Sequence, residues 1–308
     1  MPCLQNTKLS YWPAWVTFKV STIQELLKKS TLDKVDAKVL LAHLISKHLN
    51  WPKSAMISRD TDELPKLLLE EWTALEKQRA EGHPVAYLIG KKEFFNIELK
   101  VAPGVLIPRP ETELLVELVI DFVQVSGKKD PKILDLGTGS GAIGLALAKN
   151  IPNSQVTCVD VSAEALTIAK ENAHLLNLNS VKFIQSNWFD GLATALPTEE
   201  CLFDVIVSNP PYIRHDDIHL SQGDLRFEPA SALTDEHDGL MAYRSIFKEA
   251  GTFLNTDGLI LIEHGFDQSK EVCKLLQEQN YTNIKAHQDL AGIWRAASAN
   301  RAASVKLG

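Results

Sequence analysis

Lys132-Ile133-Leu134-Asp135-Leu136-Gly137-Thr138-Gly139-Ser140-Gly141 is the stretch on which the fold turns. Its first half is a short apolar run of strand length. Three alternating glycines then bend the chain. Ala142-Ile143-Gly144-Leu145-Ala146-Leu147-Ala148 follows as a helix of residues small enough to pack closely on a sheet. Strand, glycine turn and helix form the context of a nucleotide-type fingerprint. Glycines let the backbone approach a ligand, and the helix N-terminus aims N–H groups at it. The spacing is Gly-x-Gly-x-Gly, not the Gly-x-Gly-x-x-Gly of dinucleotide binders. Gln155-Val156-Thr157-Cys158-Val159 reads as the next strand and ends at Asp160, an acid about 20 positions past the glycines, placed to accept ribose hydroxyls. A dehydrogenase-like or purely structural glycine turn is the competing reading.

From Pro131 onward, strand and helix patterns alternate, which predicts an α/β fold with a doubly wound, mainly parallel sheet. Its later strands are expected at 181–184, 203–208 and 259–262, with a final pair around Ile284 and 293–297. Upstream, residues 20–90 read as a small helical domain. Ser21-x-x-Gln24 is a capping-box pattern, and Leu68, Trp72 and Leu75 recur at helical spacing. Residues 91–113 are expected to be a β-hairpin linker with Pro103-Gly104 as its turn, and 114–308 the catalytic-type domain. Residues 1–19 form a leader whose structure the sequence leaves open.

The second decisive stretch is Phe203-Asp204-Val205-Ile206-Val207-Ser208 followed by Asn209-Pro210-Pro211-Tyr212. The run is a buried strand, and two prolines cannot continue it because neither donates a ladder hydrogen bond. They hold a stiff turn at the carboxyl end of the strand, the edge where open α/β sheets bind ligands. A rigid amide acceptor beside a flat ring suits a planar NH2 group. The Asn209 oxygen and the Pro210 carbonyl can accept its two N–H bonds, with Tyr212 packed on the plane. A plain strand exit with good turn residues is the alternative.

Together the two stretches resemble the S-adenosylmethionine-dependent methyltransferases that modify amino or amide nitrogens. Further blocks resemble the protein-(glutamine) methyltransferases of peptide chain release factors: Pro84 to Gly90, Glu93-Phe94, Leu106-Ile107-Pro108-Arg109-Pro110-Glu111-Thr112-Glu113, Gln185 to Phe189, Phe227-Glu228-Pro229, Asp238-Gly239-Leu240 and Glu263-His264-Gly265. They occur in consistent order from about residue 20 to about residue 300. The resemblance implies a Rossmann-like methyltransferase with S-adenosyl-L-methionine as cofactor and a release-factor glutamine, in a Gly-Gly-Gln loop, as acceptor. It implies a catalytic set of Asn209, Pro210, Pro211 and Tyr212. It implies a cofactor-binding set of Gly137, Thr138, Gly139, Ser140, Gly141, Asp160, Trp188 and Asn209, with Trp188 near the adenine. Asn187 stands where this family usually carries an acid, so a charged adenine contact is not expected there. Arg109 and Glu111 fit either a positioning role or a salt-bridged linker. A glutamine of a ribosomal protein and an adenine amino group on nucleic acid are the alternative acceptors.

Composition narrows the classes. The 308 residues are 45% hydrophobic and 23% charged, with formal net charge −7, ordinary for a globular enzyme. Residues 19–90 balance their acids and bases, so no basic face for nucleic-acid phosphates is expected. Cys3, Cys158, Cys201 and Cys273 are far apart and no histidine has ligand spacing, so neither a metal nor a disulfide scaffold is expected, and the compartment is reducing, hence cytoplasmic. No run of 18 apolar residues suggests a membrane span.

Overall fold

The computed structural model describes residues 21–197 and 201–301, in two compact units that divide between Glu81 and Gly82. The expected leader lies outside the described residues.

The first unit holds α1 (Ile23–Lys29), α2 (Lys34–Leu49), α3 (Ala55–Ser58) and α4 (Lys66–Ala80). Ile23, Leu40, Leu41, Leu44, Leu68 and Trp72 are its buried stripe. The N-cap of α1 is Thr22, whose hydroxyl accepts from the Glu25 amide at 3.2 Å. The capping pattern is therefore Thr22-x-x-Glu25, one residue beyond the expected Ser21-x-x-Gln24. A cap must immediately precede the first helical residue, and burial of Ile23 fixes that residue. Arg79 and Asp36 tie α4 to α2 at 2.6 Å.

The second unit opens with α5 (Val85–Ile89) and a hairpin of β1 (Lys91–Phe94) and β2 (Ile97–Lys100). Ala86 and Tyr87 pack against the buried Val101, Val105, Ala165 and Ile168. The hairpin differs from expectation. Its turn is Phe95-Asn96, with φ of 43° and 60°, and not Pro103-Gly104. Two successive positive φ values match the right-handed strand twist, and asparagine tolerates that conformation well. Ile97 and Leu99 face inward, Glu98 and Lys100 outward, which sets the register.

Then come α6 (Glu113–Ser126), β3 (Lys132–Leu136), α7 (Ala142–Asn150), β4 (Gln155–Asp160), α8 (Ala163–Leu175), β5 (Lys182–Gln185), α9 (Leu192–Ala195), β6 (Phe203–Ser208), α10 (Ala230–Leu233), α11 (Met241–Phe253), β7 (Leu254–Glu263), α12 (Ser269–Glu278), β8 (Thr282–Gln288) and β9 (Trp294–Asn300). The seven-stranded sheet runs β5-β4-β3-β6-β7-β9-β8, parallel as far as β7, with β9 antiparallel to both its neighbours. The doubly wound α/β expectation is met. The order reverses between β3 and β6, so the crevice outside their carboxyl ends is the topological switch point.

Both faces of the sheet are covered, so the central strands β3 and β6 are buried almost throughout, while the edge strand β8 is largely polar and exposed. Ile133, Val205, Val207 and Leu261 pack with α6 and α7, while Leu134, Ile206, Ile260 and Ile262 pack with α11 and α12. The approach of α7 is close. A Cβ on Gly144 would lie 2.4 Å from the Cys158 sulfur and 3.0 Å from Asp135 Oδ2. Gly144→Ala is therefore expected to destabilise the fold by about 1–3 kcal/mol from overpacking, despite alanine's helix preference of about 1 kcal/mol over glycine. Urea denaturation checks this, and wild-type stability would contradict the tight α7–sheet contact.

Candidate active site

The carboxyl ends of β3, β4 and β6 and the loops beyond them enclose a cleft of about 270 Å³. The β3 exit supplies Gly137 and Gly139, with φ of 69° and 56°. Side chains rarely adopt this conformation, and a Cβ on Gly137 would stand 3.6 Å from the Trp188 ring. The Asp135 carboxylate sits beneath the turn, taking the Thr138 hydroxyl at 2.6 Å and the Gly144 amide at 2.9 Å through Oδ2. Burial pushes its pKa up to about 6.

Asp160 closes β4. Its Oδ2 accepts from the Gly139 amide at 2.8 Å and its Oδ1 from Ser162 at 2.9 Å. The acid thus anchors the glycine turn to the neighbouring strand. A carboxylate has about four lone-pair sites, so it retains acceptor capacity toward the cleft. Burial raises its pKa despite these bonds. Beyond β5, Trp188 lines the cleft with φ of 48°, a strained conformation for an aromatic residue. Asn187 beside it donates to Asp190 at 3.2 Å.

At the β6 exit, the Ser208 hydroxyl donates to the Leu136 carbonyl at 2.6 Å, locking β6 to β3 two residues before the first proline. Asn209 follows, and its Nδ2 donates to Thr112 Oγ1 at 3.1 Å. With the amide nitrogen so engaged, the amide oxygen is left for the cleft, which Asn209 and Pro211 line. Tyr212 is turned away from it. Its hydroxyl donates to Glu263 Oε1 at 3.4 Å and its ring packs with the α11 side of the core.

The cleft therefore joins Gly137, Gly139, Asp160, Trp188, Asn209 and Pro211. The side chains of Thr138, Ser140, Pro210 and Tyr212, with Gly141, lie in the supporting wall. Thr138 serves Asp135, the Ser140 carbonyl accepts from Asn172 at 2.9 Å, and Gly141 caps α7. Gly104, expected as a hairpin turn, and Pro229, quoted only within a family block, also line the cleft, as does Val105, which the sequence did not single out. Gly104 has φ of 106° and faces the Glu164 carboxyl so closely that a Cβ would lie 2.7 Å from it. Glu228 holds this wall together. Its Oε2 accepts from the Ile107 amide at 2.9 Å and its Oε1 pairs with Arg109. Arg109 thus fastens the segment before α6 to the loop before α10.

Behind Asn209, Glu263 is buried at the end of β7, and desolvation raises its pKa from an ordinary 4.5 to about 7. A raised carboxyl pKa means that the folded chain binds more protons than the unfolded chain between those values, so this group's stabilisation is greatest at acidic pH and is lost as pH rises through about 7. Glu263→Gln is expected to raise the melting temperature at about pH 8 and to change it little at about pH 5. Equal shifts at both pH values would contradict a raised Glu263 pKa.

The parallel sheet and its switch-point cleft place the chain among the Rossmann-like methyltransferases: residues 127–300 match the family described as a methyltransferase domain. Residues 20–90 match the PrmC N-terminal domain. The release factor glutamine methyltransferase of Burkholderia pseudomallei is 43% identical over 282 residues, covering 90% of this chain and 95% of that protein. The one from Vibrio cholerae is 43% identical over 274 residues, covering 89% and 92%. The solved protein-(glutamine-N5) methyltransferase (release factor-specific) of Alicyclobacillus acidocaldarius is 27% identical and spans 67% of this chain and all of that one, at a TM-score of 0.39. The chain belongs to the release factor glutamine methyltransferase family. No described helix is long and apolar enough to cross a membrane.

Proposed function

We propose that this chain transfers a methyl group from S-adenosylmethionine to the side-chain amide nitrogen of a glutamine in a peptide chain release factor. The observation that carries this reading is the Asn209 amide, held by Thr112 with its oxygen left for the cleft that the glycine turn, Asp160 and Trp188 also line. These residues suit the cofactor. The glycine turn leaves room that a Cβ would fill, Asp160 offers acceptors for ribose hydroxyls, and the Trp188 ring offers a flat apolar face for a base.

The cofactor supplies an electrophilic methyl carbon on a sulfonium. The difficulty lies with the acceptor, because an amide nitrogen's lone pair is delocalised into its carbonyl. The Asn209 oxygen and the Pro210 carbonyl accept the two N–H bonds of the glutamine amide. They orient it and stabilise the positive charge that grows on nitrogen as the new bond forms. The nitrogen's acidity rises with that bond, so its proton would pass to solvent water without a strong base, while the methyl–sulfur bond breaks to leave a neutral thioether. Pro210 and Pro211 fix the backbone φ of the turn and so hold both acceptors in place. The family membership supports a release factor as the protein that carries the glutamine.

Incubation of the purified chain with labelled S-adenosylmethionine and, separately, release factor, ribosomal proteins and DNA tests this reading. Label is expected in the release factor. Label confined to ribosomal protein or DNA would replace the acceptor assignment.

A further inference from the structure

We infer that Gln268, between β7 and α12, is a positioning residue for methyl transfer: it fixes the Tyr212 end of the Asn-Pro-Pro-Tyr turn and thereby the direction of the Pro210 carbonyl. This rests on the acceptor roles proposed for Asn209 and Pro210. The near end of the turn is locked by the Ser208 hydroxyl on the Leu136 carbonyl. The proline rings fix φ at 210 and 211. A residue before proline is held to ψ of about 120–160°, which covers Asn209 and Pro210. That range still swings a carbonyl oxygen by about 0.7 Å, against a tolerance of about 0.5 Å in productive sites. The last of the play is removed only by holding the far end, and no proline does that for Tyr212.

Gln268 does. Its Nε2 donates to the Tyr212 carbonyl at 3.0 Å and to the Gly239 carbonyl at 3.2 Å. Its Oε1 accepts from the Gly265 amide at 2.9 Å and from the Tyr243 hydroxyl, shared with the Glu263 carbonyl, at 3.3 Å. Both N–H groups and both oxygen lone pairs of the amide are in use, so it cannot be reversed without setting donor against donor and carbonyl against carbonyl. The base of the side chain is fixed too, because the Gln268 backbone amide donates to the Gly265 carbonyl at 3.0 Å and closes a turn after β7. On the other edge of the same peptide group, the Ile213 amide donates to the Leu233 carbonyl at 2.9 Å. The Tyr212–Ile213 peptide is thus gripped by Gln268 at oxygen and by Leu233 at nitrogen.

Gly239 makes room for this clamp. Its φ is 77°, and a Cβ there would lie 2.5 Å from the Tyr212 oxygen and 3.0 Å from Gln268 Nε2. A glycine admits the loop this close. Asn-Pro-Pro-Tyr, Asp238-Gly239-Leu240 and Glu263-His264-Gly265 therefore meet at one side-chain amide that lies outside all three. The partners of that amide, Tyr212, Gly239, Gly265 and Tyr243, stand behind the cleft and not among the residues that line it. Loss of the clamp should reach the acceptors of the turn and spare the cofactor site.

The test is Gln268→Glu at about pH 8, which keeps the shape and the acceptor, removes the donors, and sets a carboxylate against the Tyr212 and Gly239 carbonyls. One readout is hydrogen exchange of the Ile213 amide in 15N-labelled protein. The other is methylation of release factor, with kcat and KM separated. Gln268→Glu is expected to speed Ile213 exchange by about 10-fold or more and to lower kcat by about 10- to 100-fold, with KM and S-adenosylmethionine affinity within about threefold of wild type. Gly239→Ala, which presses on the same Tyr212 oxygen while Gln268 stays intact, should do the same. Tyr281→Phe removes a buried hydroxyl bond to the Phe247 carbonyl and controls for lost stability. It should leave Ile213 exchange and kcat within about threefold of wild type. Wild-type Ile213 exchange in Gln268→Glu and Gly239→Ala would overturn the proposal. Faster exchange with wild-type kcat would also overturn it, by reducing Gln268 to a clamp without effect on the chemistry. An equal loss of kcat in Tyr281→Phe would do so by assigning the effect to stability. If wild-type enzyme moves no methyl to release factor, the substrate assignment fails, and Ile213 exchange still decides whether Gln268 holds the turn.

Discussion

Asn209→Ala is expected to lower turnover by about 100-fold or more while leaving S-adenosylmethionine affinity within a few fold. The expectation follows from what the side chain does in the fold. Asn209 lies at the rim between the glycine turn and the proline-stiffened β6 exit, and its one described side-chain bond, to Thr112, leaves its oxygen for the cleft. Loss of one preorganised acceptor for developing charge costs about 2.7–4 kcal/mol in comparable sites. The fold should survive, because Ser208 and not Asn209 makes the β6–β3 lock. Single-turnover kinetics with saturating cofactor separate the effect on chemistry from that on binding. Near-normal turnover would reduce Asn-Pro-Pro-Tyr to a turn.

Asp160→Ala should weaken S-adenosylmethionine binding by about 1.5–3 kcal/mol, roughly 10- to 100-fold in Kd. Two losses combine. Charge-assisted bonds to ribose hydroxyls disappear, and so do the bonds that hold the Gly139 and Ser162 amides. Asp160→Asn separates them, since its amide oxygen can still accept from Gly139 while the charge is gone. It should fall between wild type and alanine in a calorimetric titration. Unchanged affinity in the alanine variant would remove Asp160 from the cofactor site.

Local patterns carried much of this architecture in the sequence. Strand, glycine turn and helix lie within twenty residues, and each is written in periodicity or glycine spacing. The Asn-Pro-Pro-Tyr exit is legible because proline chemistry is local. Where reading failed, a nonlocal contact or a competing signal decided. Pro103-Gly104 is a strong turn dipeptide, yet the hairpin closes at Phe95-Asn96, where inward-facing Ile97 and Leu99 set the register. Gly104 instead bends the cleft wall beside Glu164. Thr112 meets Asn209 across 97 positions, and Glu228 meets the Ile107 amide across 121. No spacing rule reports such pairs. The family blocks contain these residues, but only the fold shows that Glu228 clamps Arg109 and Ile107, and that Tyr212 turns its hydroxyl to Glu263.

On this reading the cleft methylates an amide nitrogen of a release-factor glutamine. The most direct measurement is fragment-resolved mass spectrometry of release factor after reaction with the purified chain and S-adenosylmethionine. It should show one added methyl on the side-chain nitrogen of the glutamine in the Gly-Gly-Gln loop, and none after reaction with Asn209→Ala over the same time. An unmodified glutamine with the methyl on another residue, or equal modification by the Asn209→Ala enzyme, would contradict it.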